Sequence, residues 1–347
     1  MKDRIKSLLN RRNIPGLSNF SRARFNVQAG ANDVAVRLSR TQERQRQLLA
    51  RLKGLEKRLS ALEKLGRPIG AMLNELEAHA LVDPEDQPNF LELDKAQRRF
   101  RASIKLSILR DTETPRRFLV FVQCSSRFDP KQLATFNRSF DLMLNYYDAA
   151  PQNPPHQAQI VTQQSGTKTT AIWKLLEESP EVFYRYDLIF FLDDDIVISA
   201  EEVDRLFLIM TKSSMELAQP CISYDSAGSW PAVRENGLNG HTIMTNAVEI
   251  MMPCISGRSL REASWVFGTS VSGYGADLLL SNYLWRKSSV PSFVVGSVVA
   301  RHERDIDRKE GALYRYLTMQ GIDPLEELRM ISSCYGIPPS IYRVHFR

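Results

Sequence analysis

The sequence predicts an α/β protein with a mostly parallel sheet flanked by helices, preceded by an N-terminal coiled coil. Near-continuous apolar runs of strand length alternate with helical segments between residues 116 and about 310. Such runs are typical of parallel strands covered on both faces. A heptad pattern occupies residues 31–66, and 347 residues are enough for one large domain or two smaller ones.

The first 30 residues form a basic segment with Gly and Pro breaks, which indicates a flexible arm. Residues 1–65 carry a net charge of +11, whereas residues 66–347 sum to −5. The arm could contact anionic lipid as a peripheral element or remain a solvated tail. Because the rest of the chain is acidic and the arm has few aromatic residues, we expect no nucleic-acid binding.

The coiled coil is predicted from apolar positions that step by four and three residues, with charged residues between them. The a and d positions are Val34, Leu38, Thr41, Gln45, Leu48, Leu52, Leu55, Leu59 and Leu62. This seam implies a homo-oligomer. A helical linker is expected over residues 67–115, after the breaks at Gly66, Pro68 and Gly70.

The enzyme domain is expected over residues 116–310. Predicted strands lie at Phe118–Gln123, Asp141–Tyr147, Gln159–Thr162, Tyr186–Leu192 and Phe293–Ala300, with helices near Lys131–Phe140 and at Thr167–Glu178. Residues 311–347 form a C-terminal helical segment, in which Asp323 and Pro324 begin a helix that runs to about Ser333.

The location of the chain is predicted from what the sequence lacks. It has neither a signal peptide nor an apolar run of the roughly 18 residues that would span a bilayer. We therefore expect a cytoplasmic protein, with the basic arm as a possible contact to the inner membrane surface. The four cysteines lie far apart and are expected to be reduced and buried.

Three consecutive acids, Asp193, Asp194 and Asp195, follow an apolar strand and are the sharpest chemical signal. Adjacent carboxylates repel one another at a low dielectric constant unless a cation neutralises them. Oxygen ligands favour Mg²⁺ or Mn²⁺ over zinc. The alternative is an exposed acidic turn before the helix that Ser199 would cap.

The segment Tyr186–Asp195 resembles the strand and DxD motif of GT-A fold glycosyltransferases. Further segments resemble the DUF707 family of glycosyltransferases in the same order, namely residues 166–173, 245–253 and 273–277. The resemblance covers about residues 116–305. It implies a GT-A-like fold and transfer of a sugar from a nucleotide-sugar donor to a glycan or other hydroxyl acceptor. Surface polysaccharide synthesis is a setting in which such a transfer could serve.

The resemblance also implies roles for the acidic run. Asp193 would lie near the donor ribose and the metal, Asp195 would bind the metal, and Asp194 could serve either purpose. GT-A enzymes often add a late histidine ligand, and His302 stands just after the last predicted strand. The cofactor would therefore be Mn²⁺ or Mg²⁺, held by Asp193, Asp195 and His302.

The element Gly273-Tyr274-Gly275-Ala276-Asp277 resembles a motif that precedes the catalytic acid in several GT-A groups, where Trp often stands in place of Tyr274. Gly273 and Gly275 would let the backbone approach the acceptor, and Tyr274 would stack on a sugar. If the enzyme inverts the anomeric configuration, Asp277 is our first candidate for the catalytic base. The alternative is that Asp277 is only the N-cap of a helix.

Three further residues are candidates for the site. Glu249 is a lone charge in an apolar segment expected to be a strand; it could bind the acceptor, pair with an arginine or replace Asp277 as base. Lys168, at the beginning of a helix, could hold the donor diphosphate. Asp148, after the second strand, could contact the nucleoside of the donor.

Two other functions fit parts of the sequence. Asp193-x-Asp195-x-Val197 matches the nucleophile motif of haloacid-dehalogenase-type Mg²⁺-dependent phosphatases, but those enzymes carry the motif on their first strand. The second alternative is a coiled-coil scaffold with an inactive globular head. Both remain rivals to the transferase.

Overall fold

The computed structural model describes residues 90–135, 137–226, 230–304 and 311–344. The predicted arm, the coiled coil and residues 67–89 of the linker lie outside these residues. The described strands are β1 (Leu106–Arg110), β2 (Phe118–Cys124), β3 (Phe140–Tyr146), β4 (Ile160–Gln164), β5 (Leu188–Asp193), β6 (Ile196–Val197), β7 (Leu217–Ile222), β8 (Thr242–Thr245), β9 (Cys254–Ser256) and β10 (Ser292–His302). In the described part of the chain, no helix has the length and apolar character that crossing a membrane requires.

The helices alternate with these strands and flank the sheet. They are α1 (Leu91–Ser103), α2 (Lys168–Glu178), α3 (Glu181–Tyr184), α4 (Ala200–Lys212), α5 (Gly257–Glu262), α6 (Ala276–Ser288), α7 (Ala312–Met319) and α8 (Pro324–Tyr335). Local signals explain several starts: Thr167 caps α2, Ser199 caps α4, and Asp323 caps α8 with Pro324 in its first turn. The predicted helix starts at these three residues are therefore confirmed.

The sheet has the order β1-β4-β3-β2-β5-β9-β7-β10-β6, and β8 pairs with β10. Strands β4, β3, β2 and β5 are parallel neighbours, and β7 is parallel to β10. Because β9 runs antiparallel to both β5 and β7, strands β5 and β7 run in the same direction as each other. A mixed α/β fold with a mostly parallel central sheet is thus confirmed, and six strands end at one side, which we call the carboxyl edge.

The apolar character of the central strands decides their position in the sheet. Every residue of β2, β3 and β7 is buried, and β5 is buried from Leu188 to Leu192. Aromatic rings of β2, β5 and α3 pack edge to face in this core, at Phe121, Phe191 and Phe183. Burying such side chains contributes about 2 kcal/mol each, which favours a central position for these strands. All four cysteines are buried free thiols, as predicted.

Strand β1 extends the sheet on the N-terminal side. It lies within the segment 67–115 that we expected to be a helical linker, and it pairs antiparallel with β4. Its residues are mostly exposed, and Arg110 donates hydrogen bonds to the carbonyls of Pro155 and Ala158, both 2.9 Å. Backbone hydrogen bonds to β4 hold this edge strand in the sheet. The residue composition of β1 gives no sign of this pairing.

Two local predictions are wrong. The expected helix near Lys131–Phe140 is only a 3₁₀ turn at Pro130–Gln132, because the buried Arg138 side chain donates to loop carbonyls, including Phe140 O at 3.1 Å. The expected strand around Glu249 is a turn. There the backbone N–H of Glu249 donates to Gln219 Oε1 at 2.5 Å, so it is not available to a strand neighbour.

Candidate active site at the carboxyl edge

The three acids lie where β5 ends and turns into β6, at the carboxyl edge. Ligands in open α/β sheets bind beyond this side of the strands. The side chains are neither free in water nor fully buried, with exposed fractions of 32% for Asp193, 10% for Asp194 and 20% for Asp195. Each acid contacts a different basic side chain: Lys168 for Asp193, Arg304 for Asp194 and His302 for Asp195.

Asp193 forms an ion pair with Lys168, the first residue of α2. The Nζ atom of Lys168 lies 2.9 Å from Asp193 Oδ1 and donates to the carbonyl of Met251 at 2.7 Å. Burial raises the pKa of Asp193 to about 6, although the lysine opposes the shift, and burial lowers the pKa of Lys168. Lys168 therefore orients Asp193; its contact with a diphosphate remains a prediction.

Asp194 holds the loop that follows β2. Its carboxylate accepts a hydrogen bond from the backbone N–H of Ser125 at 3.1 Å and lies 3.4 Å from both Tyr147 Oη and Arg304 Nη1. Burial raises the pKa of Asp194, while the Ser125 N–H bond opposes this shift. This side chain consequently shapes the wall of the site.

Asp195 faces His302, the last residue of β10. Asp195 Oδ2 and His302 Nε2 are 3.4 Å apart, and the imidazole is 6% exposed. Burial alone would raise the pKa of Asp195, but the hydrogen bond and charge of His302, together with the charges of Arg304 and Lys168, lower that pKa. His302 belongs to the strand rather than following it, because it pairs with Ile196 of β6.

The pair fits a divalent cation. Two cis ligands at the usual distances of about 2.1 Å lie about 3 Å apart, close to the observed separation of oxygen and nitrogen. Asp193 is turned toward Lys168, so it would contribute less directly to binding the cation. Within the described ranges, no group of three or more His, Cys, Asp or Glu side chains has metal-binding geometry. Asp195 and His302 could hold Mn²⁺ or Mg²⁺ together with oxygens of a bound donor.

Asp148 lies beside the same loop after β2. Its two carboxylate oxygens accept from the backbone N–H of Ser126 at 2.8 Å and from Ser126 Oγ at 2.9 Å. The pair Ser125 and Ser126 is thus clamped by Asp194 and Asp148. Sequence analysis missed these serines; their place directly after a buried strand is the signal that could have found them. A nucleoside contact by Asp148 remains a prediction.

Asp277 lies on the other side of the site, in the first turn of α6. It is 8% exposed and accepts from the backbone N–H groups of Leu278 at 2.8 Å and Ile250 at 3.4 Å. Burial raises the pKa of Asp277 to about 6, against the effect of these backbone donors. Gly275, with φ of 82°, occupies the N-cap position, so the alternative that Asp277 is only the N-cap is wrong.

The two glycines of the motif are required by close contacts. A Cβ on Gly273, whose φ is 93°, would lie 2.8 Å from Thr169 Oγ1 of α2, and one on Gly275 would lie 3.2 Å from Ile331 of α8. The motif is thereby packed against the helix that carries Lys168. Tyr274 is half-buried, and its hydroxyl is hydrogen-bonded to that of Tyr314. Its stacking on a sugar remains a prediction.

The loop of residues 246–252 joins the two sides. Met251 O accepts from Lys168, and Ile250 N–H donates to Asp277, so adjacent residues connect the acidic run to the candidate base. Glu249, 4% exposed, accepts from the backbone N–H of Trp230 at 3.1 Å. This contact gives Glu249 a role in holding the loop, and its alternative role as base remains a prediction.

A buried polar row beneath the site was also missed. Asn145 Nδ2 donates to Gln123 Oε1 at 2.6 Å, and Thr162 Oγ1 donates to Asn145 Oδ1 at 2.7 Å. Gln123 Nε2 then donates to Gly166 O at 3.2 Å, just before α2. Each of these side chains follows apolar residues on its strand, a break in the pattern that could have indicated them.

Comparison with known proteins gives distant structural similarities. No family model matches the chain, so its resemblance to DUF707 remains a prediction, and no curated protein matches it. The chain is similar to the structure of GalNAc-T7 with UDP, GalNAc and Mn²⁺, at 12% identity and a TM-score of 0.44 over 74% of this chain. It spans 58% of the length of that structure.

Two further structures are also similar to the chain. One is S. aureus TarS 1-349 in complex with UDP-GlcNAc, at 10% identity and a TM-score of 0.38, covering 63% of this chain and 71% of TarS 1-349. The other is described as a mycobacterial protein, at 14% identity and a TM-score of 0.39, covering 64% and 76%. Identities and TM-scores this low assign the chain to no family.

Proposed function

We propose that the chain is a glycosyltransferase that moves a sugar from a nucleoside diphosphate donor to a hydroxyl acceptor. One observation carries this proposal: adjacent residues of one loop, Met251 and Ile250, bond to Lys168 beside the acidic run and to Asp277, a buried carboxylate of raised pKa. Such a site offers anion and metal binding on one side and a general base on the other.

The donor side would use Asp193, Asp195 and His302. Lys168 occupies Asp193 Oδ1 and leaves Oδ2 to accept hydrogen bonds from the ribose hydroxyls of a nucleotide. Asp195 and His302 would hold Mn²⁺ or Mg²⁺, which when bound would neutralise the charge of the departing diphosphate. Asp194 and Asp148 fix the Ser125–Ser126 loop, which would border the nucleoside.

The acceptor side would use Asp277 and the turn at Gly273 and Gly275. As the acceptor oxygen bonds to the anomeric carbon and the bond from that carbon to the diphosphate breaks, the hydroxyl proton passes to Asp277. A base with a pKa near 6 is largely ionised at neutral pH and still accepts a proton effectively. Tyr274 would border the sugar, and Glu249 would keep the loop in place.

The remaining sequence predictions complete the proposal. The protein would act in the cytoplasm, in assembly of a surface polysaccharide, as a homo-oligomer through residues 31–66. The basic residues 1–30 would touch the inner membrane surface. These parts depend on the sequence pattern alone.

The test is a screen of the purified full chain for Mn²⁺-dependent hydrolysis of UDP-, GDP-, dTDP- and CMP-sugars. We expect turnover with at least one donor, and loss of about 100-fold or more of it in Asp195→Asn. Asp187→Asn, the same change at an exposed ion pair with Arg117, is the matched control. Absence of turnover with every donor, or a trapped phospho-aspartate at Asp193, would overturn the proposal.

Mn²⁺ binding can be measured separately from turnover. At a concentration 100 times its Kd, the ion should add about 2.7 kcal/mol to the free energy of unfolding of the wild type. Asp195→Asn and His302→Ala should each remove most of this gain, whereas Asp187→Asn should keep it. An equal gain in all four proteins would place the metal elsewhere.

A further inference from the structure

A completely buried carboxylate on α8 lies outside the predicted site. Glu327 is 0% exposed, and four donors point at its two oxygens. Oε1 accepts from Val271 N–H at 2.7 Å and from Gln97 Nε2 at 2.5 Å. Oε2 accepts from Ser272 N–H at 2.8 Å and from Ser270 Oγ at 2.9 Å. Every donor on these two oxygens except Gln97 comes from a single loop.

That loop leads directly into the Gly-Tyr-Gly motif. The hydroxyl of Ser270, which donates to Glu327, also accepts from the backbone N–H of Gly273 at 2.9 Å. The hydroxyl of Ser272 accepts from the N–H of Tyr274 at 3.1 Å. A continuous chain of hydrogen bonds therefore connects Glu327 to the residues that begin the turn before α6.

The same carboxylate ties helix α1 to the loop. Gln97 of α1 donates to Glu327 and also approaches Thr269 O at 3.3 Å. Burying a carboxylate is expensive, and a well-packed apolar side chain would often stabilise a fold equally well or better. Apolar packing cannot, however, fix two adjacent backbone N–H groups in one orientation. The location of Glu327 is therefore best explained by the geometry that it imposes.

We propose that Glu327 is a positioning residue for the acceptor side of the site. It fixes the backbone of residues 270–273, so that Gly273 keeps its φ of 93° and the first turn of α6 presents Asp277 beside Ile250. It touches neither substrate nor metal. The inference rests on the proposed function, in which Asp277 is the base.

The substitution Glu327→Gln tests this with little change of shape. If the new amide nitrogen replaces Oε1, it faces the N–H of Val271 and the amide of Gln97; if it replaces Oε2, it faces the N–H of Ser272. Either orientation sets donor against donor and leaves a backbone N–H without its partner. Glu326→Gln is the matched control, because Glu326 is the preceding, exposed residue, paired with Arg329.

The first measurement is amide hydrogen exchange of the peptide that covers residues 269–278. Glu327→Gln should speed exchange at Val271 or at Ser272 by roughly 10-fold or more, because one of these two N–H groups loses its acceptor. Glu326→Gln should leave exchange unchanged. If Glu327→Gln does not fold, Ser270→Ala decides, since it removes the link from Glu327 to Gly273 and should speed exchange at Gly273.

The second measurement is steady-state kinetics with the donor found in the screen. Glu327→Gln should lower kcat roughly 10- to 100-fold while the KM for donor stays within about 2-fold, because the Asp193 side is untouched. A merely structural role would instead lower the active fraction or change both constants.

The two proposals can fail separately. If the wild type transfers no sugar, the proposed function fails, and the exchange data still decide whether Glu327 holds the loop. Wild-type exchange at Val271 and Ser272 in Glu327→Gln, or an active enzyme with unchanged kcat, would overturn the positioning role.

Discussion

The substitution Asp277→Asn should abolish the proposed sugar transfer and at the same time stabilise the fold above about pH 6. Burial raises the pKa of Asp277 from 3.8 to about 6. This increase in pKa corresponds to a cost of about 3 kcal/mol for the ionised form in the folded state. Asparagine removes this cost but gives up one backbone hydrogen bond, the longer one from Ile250, worth about 1 kcal/mol. The net gain at pH 8 should be about 2 kcal/mol.

The pH dependence follows from the sign of this shift. Because the folded pKa lies above the unfolded one, the folded protein holds a proton that the unfolded chain releases between about pH 4 and 6. The destabilising cost of Asp277 is therefore complete above about pH 6 and absent below about pH 4. The advantage of Asp277→Asn should shrink to zero, or reverse, in acid.

The assay is urea unfolding of wild type and Asp277→Asn at pH 4.5 and pH 8, with Asp187→Asn as control. Asp187 is exposed and paired with Arg117, so its substitution should change the free energy of unfolding by about 0.5 kcal/mol or less at both values. Activity with the donor from the screen should fall by about 100-fold or more in Asp277→Asn only. A variant destabilised at pH 8, or equally stabilised at both pH values, would refute the reasoning.

Three further predictions concern other parts of the chain. Gly275→Ala should lower the free energy of unfolding by about 2 kcal/mol in urea titrations, because φ is 82° and the new Cβ would lie 3.2 Å from Ile331; an unchanged value would contradict this. Lys168→Met should reduce kcat/KM roughly 100-fold by releasing Asp193, and wild-type kinetics would refute that orienting role. Leu52→Asp in the full chain should reduce the mass measured by light scattering from that of an oligomer to that of a monomer. An unchanged mass would contradict self-association through residues 31–66.

Much of the central sheet could be predicted because its strands are apolar on both faces. The strands at Phe118, Phe140 and Leu188 and the helix after Thr167 were found from local pattern and capping residues. Strand β1 and the 3₁₀ turn at Pro130 could not be found this way. Their structure depends on partners distant in sequence, β4 for the former and the carbonyls bonded by Arg138 for the latter.

The site was predicted as a set of residues but not as a set of contacts. The run Asp193–Asp195 indicated a charged site, and the structure places Lys168 and His302 at two of its carboxylates. Nothing local in the sequence indicates that Glu327, 50 residues after Asp277, holds the loop before it. A glutamate in an amphipathic helix is normally solvent-exposed, so only the tertiary structure reveals its four donors.

The polar row beneath the site fixes the register of the strands in the sheet. Thr162, Asn145 and Gln123 are direct register partners across β4, β3 and β2, and Gln123 is in turn the register partner of Asp193 on β5. Sliding any of these strands by two residues would keep every apolar side chain on its proper face, so hydrophobic burial alone cannot forbid it. Such a slide would break the hydrogen bonds among the amides of Gln123 and Asn145 and the hydroxyl of Thr162. These three uncharged side chains thereby determine the position of Asp193 along the carboxyl edge of the sheet.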